Sequence, residues 1–328
     1  MCCEINIWMY KTNLNQDNSI IVNIYLVGMI KIEKALTTTR VMRSLTGLDL
    51  PSFNNLLTTF TLVLEKTKKA NSKAIKRKIG GGRNHTLPSS KEKLFYILFY
   101  MKCYPTYDLA GFLFESDRSQ TCRWVKELLP ILQDSLDREL VLPKRKINSV
   151  EDFVRCFPGV KDIFIDGTER PVQRPTKEKR QAKHYSGKKK RHTKKNIIVS
   201  TQGKEILIVT KTKCGSQHDM RMLRKSELPQ NIPKEVSTWV DTGFIGLDKE
   251  TESSVFIPAK KSKNKPLTKE QKQDNYLISG LRVCNEQAIG GMKRMRCITD
   301  VSRTKSDKLA DQLMLNAAGI WNFHLKVA

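Results

Sequence analysis

KDIFIDGT, residues 161–168, is an apolar run that ends in an aspartate followed by a glycine. Its β-branched and aromatic residues predict a strand, and the glycine permits the chain to turn away directly after the acid. Four further strands are predicted, the first two as a hairpin across Gln202-Gly203: KNIIVST (195–201), KEILIVT (204–210), EVSTWVD (235–241) and SVFIPA (254–259). Together with the helices before and after them, these strands indicate an α/β fold.

Two of the predicted strands end in an acid, Asp166 and Asp241. A carboxylate directly after a strand lies at the edge of the sheet where sites form in α/β folds. Aspartate and glycine are also common in ordinary turns, so either residue alone has a purely structural interpretation. Because the pattern occurs twice, both aspartates are candidate functional residues.

The helix predicted after residue 266 supplies a third acid. Thr268 and Gln271 have the spacing of a capping box. An apolar stripe follows, which we expect to face the core: Leu277, Leu281, Cys284, Ala288, Met292 and Met295. Glu286 lies beside this stripe, where it could pair with Arg282 on the surface or bind a metal ion.

Three carboxylates could bind two divalent cations, an arrangement that activates a water or a 3′-hydroxyl and stabilises the leaving oxygen in phosphoryl transfer. Hard oxygen ligands favour Mg²⁺ or Mn²⁺ over Zn²⁺. Gly290 and Gly291 follow Glu286 at a cost in helix propensity, which suggests close approach by another backbone or by DNA.

Residues 87–140 are predicted to form three helices. The first begins with a capping box of Ser89 and Glu92 and ends at Pro105; a short helix and the polar turn ESDRS then lead into a longer helix. This is the plan of a helix-turn-helix, whose last helix enters the major groove of DNA. Four of its side chains would face DNA: Arg118, Gln120, Arg123 and Lys126. An ordinary helical bundle with a charged face is the alternative.

The chain has 59 Lys and Arg against 33 Asp and Glu, a formal charge of +26, so nucleic acid is the first expected partner. Residues 66–83 hold eight basic residues and no acid, either as a solvated linker or as an arm that contacts phosphates. Residues 174–195 hold eleven basic residues and one acid, and contact with the DNA backbone is the expected role of this segment. The eight cysteines lack zinc-ligand spacing and are typical of a reduced intracellular protein. The apolar run at 20–30 is too short for a membrane span.

Five motifs resemble, in the same order, those of the DDE transposases of bacterial insertion sequences, in the insertion-sequence-five group, which are related to the Harbinger-type nucleases. They are FIDGTERPVQRP, YSGKKKRHTKKN, GSQHD, WVDTGFIG and NEQAIGGMKRMR, and with the closing helix they cover residues 164–326. Residues 87–132 are similar to the helix-turn-helix that precedes the family's catalytic domain. Thr242 departs from the family pattern, in which a lysine or similar residue is common at this position.

The resemblance implies a ribonuclease-H-like fold, with a mixed five-stranded sheet flanked by helices, behind an all-α helix-turn-helix region. It implies that Asp166, Asp241 and Glu286 are the catalytic residues and that they hold two Mg²⁺ or Mn²⁺ ions. Backbone contacts with DNA are expected from two basic groups: Lys188, Lys189, Lys190, Arg191, Lys293 and Arg294.

The GSQHD motif permits two interpretations. Ser216 could cap a helix that has Asp219 at its third position, a purely structural role. Alternatively, His218 and Asp219 lie near the metal ions as secondary residues of the site.

The family's reaction is cleavage of DNA at the terminal inverted repeats of the element, followed by joining of the 3′-hydroxyl ends to target DNA. The expected partners are double-stranded DNA and further copies of the chain, in the bacterial cytoplasm at the nucleoid, without a membrane. A catalytically inactive DNA-binding descendant of a transposase is the alternative.

Four regions are expected along the chain: an extension at 1–28, a helical segment and basic linker at 29–84, a helix-turn-helix domain at 85–145 and a catalytic domain at 150–328. The extension has an unusual composition, and translation could begin at Met29 rather than at Met1.

Overall fold

The structure, a computed structural model, describes residues 32–72, 86–261 and 266–327. The predicted extension at 1–28 lies outside these residues, and so does the choice between Met1 and Met29 as the start. The basic stretch 66–83 is described only as far as residue 72, over which it continues a long helix. None of the described helices combines the length and the apolar character that a bilayer crossing requires.

Within the described residues, six α-helices precede the sheet: α1 (Ile32–Leu36), α2 (Thr39–Thr46), α3 (Leu50–Ser72), α4 (Ser90–Cys103), α5 (Tyr107–Leu113) and α6 (Arg118–Arg138). The predicted capping box is present at the start of α4, where the amide of Glu92 donates to Ser89 Oγ and the amide of Ser89 donates to the Glu92 carboxylate. Tyr104 ends α4 in a left-handed conformation at φ 47°, directly before Pro105. Helices α5 and α6 then provide the short helix, turn and long helix of a helix-turn-helix.

The sheet contains seven strands: β1 (Asp162–Pro171), β2 (Tyr185–Ser186), β3 (Arg191–Ser200), β4 (Ile206–Val209), β5 (Lys213–Cys214), β6 (Ser237–Val240) and β7 (Val255–Phe256). Five of them form a mixed sheet in the order β4-β3-β1-β6-β7, and β2 and β5 are two-residue additions to β3. Strand β3 is antiparallel to β1 and β4, whereas β6 is parallel to β1 and β7. The predicted mixed sheet, including its hairpin, is therefore confirmed, and the two short strands are additional to the five that were predicted. The prediction that the first strand ends at Asp166 is wrong, because β1 continues through Gly167 to Pro171, where its residues still pair with β3.

In the described part of the chain, five α-helices accompany the sheet: α7 (Val150–Cys156), α8 (Glu178–His184), α9 (Asp219–Arg224), α10 (Lys269–Met292) and α11 (Asp307–Val327). These helices lie on both faces of the sheet. Successive residues of a strand point to opposite faces, so neighbouring residues join different cores. Ile198 of β3 joins a large core with α10, α11 and the N-terminal helices, whereas Ile197 and Val199 join a smaller core with α7 and α9. The helix-turn-helix region thus shares a hydrophobic core with one face of the sheet.

Helix α10 packs against the sheet only through its C-terminal half. Its capping box of Thr268 and Gln271 is present as predicted. Ala288 and Met292 are fully buried, but Leu277 is 57% exposed and Leu281 is 36% exposed. The prediction that the whole apolar stripe faces the core is therefore wrong for these two leucines, because among the described residues the buried positions of α10 begin at Asn285.

Candidate active site

Asp166 and Asp241 lie side by side because their strands are parallel neighbours. Ile165 of β1 pairs with Val240 of β6, so the two aspartates are the next residues on adjacent strands. Neighbouring strands are about 4.8 Å apart, and the carboxyl ends of parallel strands meet at one edge of the sheet. The pairing register alone therefore brings together two acids that are far apart in the chain.

A glycine one or two residues after each aspartate orients the carboxylate of that aspartate. The amide of Gly167 donates to Oδ1 of Asp166 at 2.7 Å, and the amide of Gly243 donates to Oδ1 of Asp241 at 2.8 Å. Burial raises the pKa of the Asp166 carboxyl, and the nearby charge of Asp241 raises it further. The two carboxylates are thus held in place while they repel each other.

Glu286 reaches the same site from α10. Asp166 pairs across the sheet with Ile198, whose side chain joins the core beneath α10, so Asp166 lies on the face that this helix covers. Buried Asn285 accepts a hydrogen bond from Ser200 of β3 at 2.9 Å and attaches the helix to the sheet. Glu286 follows Asn285 and lines one pocket together with Asp166 and Asp241.

Basic side chains form the other wall of this pocket: Lys188, Lys189, Arg191, Arg282 and Lys293. Burial lowers the pKa of Lys293, and the charge of Lys189 lowers it further. Arg282 lies near enough to Asp166 to lower the pKa of that carboxyl in part. The pocket therefore combines carboxylates with these five basic side chains, which we call the basic rim. Their positive charge suits the negative charge of a phosphodiester backbone.

Two of the six basic residues predicted to contact the DNA backbone beside the catalytic acids lie apart from this pocket. Lys190 is exposed in the turn between β2 and β3, at φ 51°. Arg294 lines a separate crevice with Gly47, Trp321 and His324. The remaining four predicted backbone contacts from these groups line the pocket itself.

The GSQHD motif places Asp219 at the site and His218 outside it. Helix α9 begins at Asp219 with His218 as its N-cap residue, and His218 is exposed and does not line the pocket. The interpretation of Ser216 as the N-cap is therefore wrong, because the helix starts two residues later than that interpretation requires. Asp219 lines the pocket together with four other acids: Asp166, Glu169, Asp241 and Glu286.

Helix α6 presents a basic outer face. Arg118, Arg123 and Lys126 are exposed, and Gln120 is half-buried. The inner face packs through these buried side chains: Trp124, Val125, Leu128 and Leu129. Asp117 caps the helix by accepting from the amide of Gln120 at 2.8 Å. The four predicted contacts thus lie in the first part of the helix, where a recognition helix contacts DNA.

The donor set of the pocket suits a hard divalent cation. Asp166 and Asp241 offer only carboxylate oxygens, and a cation between them would relieve their mutual repulsion, which adds to burial in raising the pKa of Asp166. Within the described ranges, no three His, Cys, Asp or Glu side chains form a group that could hold a metal ion as they stand. Glu286 therefore lines the pocket without completing a three-acid cluster in this conformation.

Sequence reasoning missed two charged residues beside the site, Glu169 and Lys195. Both are buried in paired strands, and Lys195 forms ion pairs with Glu169 and Asp219. In the sequence, Lys195 is the last residue of a basic run and was counted among potential DNA contacts. The one available signal was its position at the start of a strongly apolar strand, where a charged side chain needs a buried partner.

Residues 165–322 match a family described as DDE superfamily endonuclease, and residues 85–138 match one described as helix-turn-helix of DDE superfamily endonuclease. The chain belongs to the DDE superfamily endonucleases, as the sequence motifs predicted. It is 28% identical over 296 residues to a protein of Microchaete diplosiphon described as a probable transposase for insertion sequence element IS702. The match covers 90% of this chain and 98% of that protein. No solved structure gives a significant match.

Proposed function

We propose that this protein is the transposase of an insertion sequence, which binds the inverted repeats of its element, cleaves the DNA there and joins the 3′-hydroxyl ends to target DNA. Residues 85–145 would bind DNA and residues 150–328 would carry out the chemistry. The family match and the similarity to the Microchaete protein support this assignment.

One observation carries the proposal: Asp166 and Asp241 occupy equivalent positions on adjacent parallel strands, in a basic pocket that Glu286 also lines. A pair of carboxylates that repel each other is unfavourable in a structural turn, and it is typical of a site that binds cations. The basic rim would attract the phosphodiester that the reaction requires.

In this mechanism Asp166, Asp241 and Glu286 would hold two Mg²⁺ or Mn²⁺ ions. Such ions activate a water or a 3′-hydroxyl and stabilise the leaving oxygen. Lys188, Lys189 and the other cations of the rim would bind the DNA backbone and orient the scissile phosphate toward the acids. The Gly167 and Gly243 amides would keep the two aspartates aimed into the pocket.

The experiment that tests this proposal compares Asp166→Asn, Asp241→Asn and Glu286→Gln with the unaltered protein on DNA that carries the ends of the element. Each substitution should reduce Mg²⁺- or Mn²⁺-dependent nicking about 10³-fold or more, because several kcal/mol of transition-state stabilisation is lost. Binding of the same DNA in a gel shift should be retained. Asp248→Asn, at an exposed acid outside the pocket, is the control and should nick normally.

Nicking that survives all three substitutions would contradict the mechanism. A gel shift without any metal-dependent nicking by the unaltered protein would support the alternative, a catalytically inactive DNA-binding descendant. Strand transfer is measured separately, because a nuclease that cuts without joining would nick but give no joined product.

The proposal also includes the oligomeric state of the protein and its location in the cell. Two element ends must be brought together, so we expect a homo-oligomer on DNA, in the bacterial cytoplasm at the nucleoid. Mass measurement of the protein with and without DNA ends tests the first of these expectations.

A further inference from the structure

Lys195 of β3 lies in a buried ionic cluster beside the candidate active site. Its Nζ is 3.0 Å from Oδ1 of Asp219 and 3.2 Å from Oε1 of Glu169, and it donates to the carbonyl of Gln217 at 3.1 Å. The side chains of Lys195 and Glu169 are 8% and 5% exposed. The ammonium group is therefore surrounded by three oxygens and withdrawn from solvent.

Glu169 is sufficient to neutralise this lysine. It lies directly opposite Lys195 in the β1–β3 pair, and its second oxygen accepts from Thr193 Oγ1 at 2.7 Å. Burial alone would raise the pKa of Glu169, but hydrogen bonds from Thr193 and Ser186 and the charge of Lys195 lower it. A second carboxylate, that of Asp219, leaves the cluster with one negative charge in excess. Such an excess is costly in a partly buried site, so neutralising Lys195 does not account for Asp219.

The carboxylate of Asp219 lies between Gly167, which follows Asp166 in β1, and Gly243, in the turn after Asp241. A Cβ atom on Gly167 would lie 2.7 Å from Asp219 Oδ1 and 2.9 Å from its Cγ. A Cβ atom on Gly243 would lie 3.6 Å from Asp219 Oδ2. Asp219 therefore packs closely on Gly167, and its second oxygen lies beside Gly243. The amides of these two glycines hold Asp166 and Asp241, so Asp219 lies next to the residues that orient both acids.

The GSQHD loop lies close against β3, and this position places Asp219 beside the two glycines. A Cβ atom on Gly215 would overlap with Thr193 Oγ1, so only glycine allows the loop to lie this close to β3. The amide of Gly215 donates to the carbonyl of Thr193 at 2.9 Å, and the carbonyl of Gln217 accepts from Lys195. The loop is thus attached to β3 at two points before α9 begins at Asp219.

We propose that Asp219 is a positioning residue that sets the separation of Asp166 and Asp241, and that Lys195 holds it in place. The inference rests on the proposed function, since the two aspartates must bind the ions together. Asp219 acts through its shape and its bond to Lys195, not as a ligand of the ions.

The test is Mn²⁺ binding by the full-length protein, measured by titration calorimetry and by electron paramagnetic resonance of the free ion. Asp219→Ala should raise the apparent dissociation constant about tenfold or more, the usual effect of losing a residue that orients metal ligands. Asp219→Asn keeps the shape and an oxygen that can accept from Lys195, so it should raise the constant by only about threefold or less. Asp307→Ala is the matched control, because it breaks the ion pair of the adjacent Lys194, outside the pocket.

A double substitution tests whether Gly167 and Asp219 affect Mn²⁺ binding through the same contact. Gly167→Ala alone should weaken Mn²⁺ binding about tenfold, because its methyl group would displace the Asp219 carboxylate. In the Asp219→Ala background the methyl group has room, so Gly167→Ala should add little. Far-UV circular dichroism and melting temperature confirm that each variant is folded.

An Asp219→Asn protein that binds Mn²⁺ as weakly as Asp219→Ala would overturn the inference, because Asp219 would then act as a ligand. Normal binding by Asp219→Ala, or additive effects in the double variant, would also overturn it. Mn²⁺ binding that survives both Asp166→Asn and Asp241→Asn has a different meaning. That result would remove the proposed function itself, whatever the Asp219 variants do.

Discussion

Arg303 lies over the ring of Tyr104, with Cζ 4.1 Å from the ring centroid. Its Nη2 also donates to the carbonyls of Tyr104 and Pro105, each at 2.7 Å. Tyr104 ends α4 of the helix-turn-helix region, and Arg303 precedes α11, which packs on the sheet. One side chain thus satisfies carbonyls that have no helical partner and joins the two regions of the chain.

Arg303 is exposed, but its contacts join two regions of the chain, so Arg303→Ala should destabilise the fold more than the loss of an arginine in a local ion pair does. The hydrogen bonds and the cation–π contact together suggest a loss of about 1–2 kcal/mol in the free energy of unfolding. Urea denaturation measures this loss. Arg296→Ala is the control: Arg296 pairs with Asp300 one helical turn away on the surface, and its removal should cost about 0.5 kcal/mol or less. Equal losses for the two variants would contradict the role of Arg303.

The two adjacent glycines of α10 should respond oppositely to substitution by alanine. A Cβ atom on Gly291 would overlap with the ring of Trp321, which is held by a hydrogen bond from its Nε1 to the Lys204 carbonyl at 2.9 Å. Gly291→Ala should cost about 1–3 kcal/mol through overpacking. Gly290 faces open space, so Gly290→Ala should gain about 0.5–1 kcal/mol from helix propensity. Thermal melting of the two variants checks both signs.

The surroundings of these two glycines show what could and could not be predicted from the sequence. The cost of glycine in a helix correctly indicated a close approach, but the approaching group is the side chain of Trp321 rather than a backbone or DNA. Likewise, the helical period identified the apolar stripe of α10, but it carried no information on where the sheet stops covering the helix. Leu277 lies beyond that point and is exposed.

Local patterns were sufficient for the presence of the strands and for the two aspartates, but not for the end of the first strand. Asp166 and Asp241 follow apolar runs and have a glycine one or two residues later, so each position could be derived from its immediate neighbours. The continuation of β1 to Pro171 depends on its pairing with β3, which the local sequence does not encode. The partners of Lys195 could not be derived in this way. Glu169 and Asp219 are brought to it by the β1–β3 register and by the GSQHD loop, and these are properties of the folded chain.

Asp49 should make the stability of the N-terminal helices depend on pH. It caps α3, because its Oδ1 accepts from the amide of Ser52 at 3.0 Å. The hydrogen bond from the Ser52 hydroxyl and the pairing with Arg43 lower the pKa of Asp49 to about 2. A lowered pKa in the folded state means that the stabilisation is complete above the ordinary aspartate pKa and is lost as the pH falls toward 2.

Asp49→Asn can still cap the helix but does not titrate. Its deficit in the free energy of unfolding should be up to about 1 kcal/mol at pH 7 and should shrink at pH 3. Asp49→Ala loses the cap as well as the charge, so its deficit should exceed that of Asp49→Asn by about 1 kcal/mol at both pH values. Urea titrations at the two pH values make the comparison. A deficit of Asp49→Asn that does not change with pH would show that the charge of Asp49 contributes nothing.

The basic face of α6 should determine how DNA binding responds to salt. Arg123 and Lys126 are exposed there, so each can contact a phosphate. Arg123→Ala and Lys126→Ala should each reduce the log–log salt dependence of the binding constant by about 0.9, the value for one released counterion. Lys234→Ala, at an exposed lysine of a loop before β6, serves as the control and should leave the slope unchanged. Fluorescence anisotropy across a range of KCl concentrations measures all three. If neither α6 variant alters the slope, the three helices form only a bundle with a charged face, and the DNA must be bound by the basic residues around the pocket.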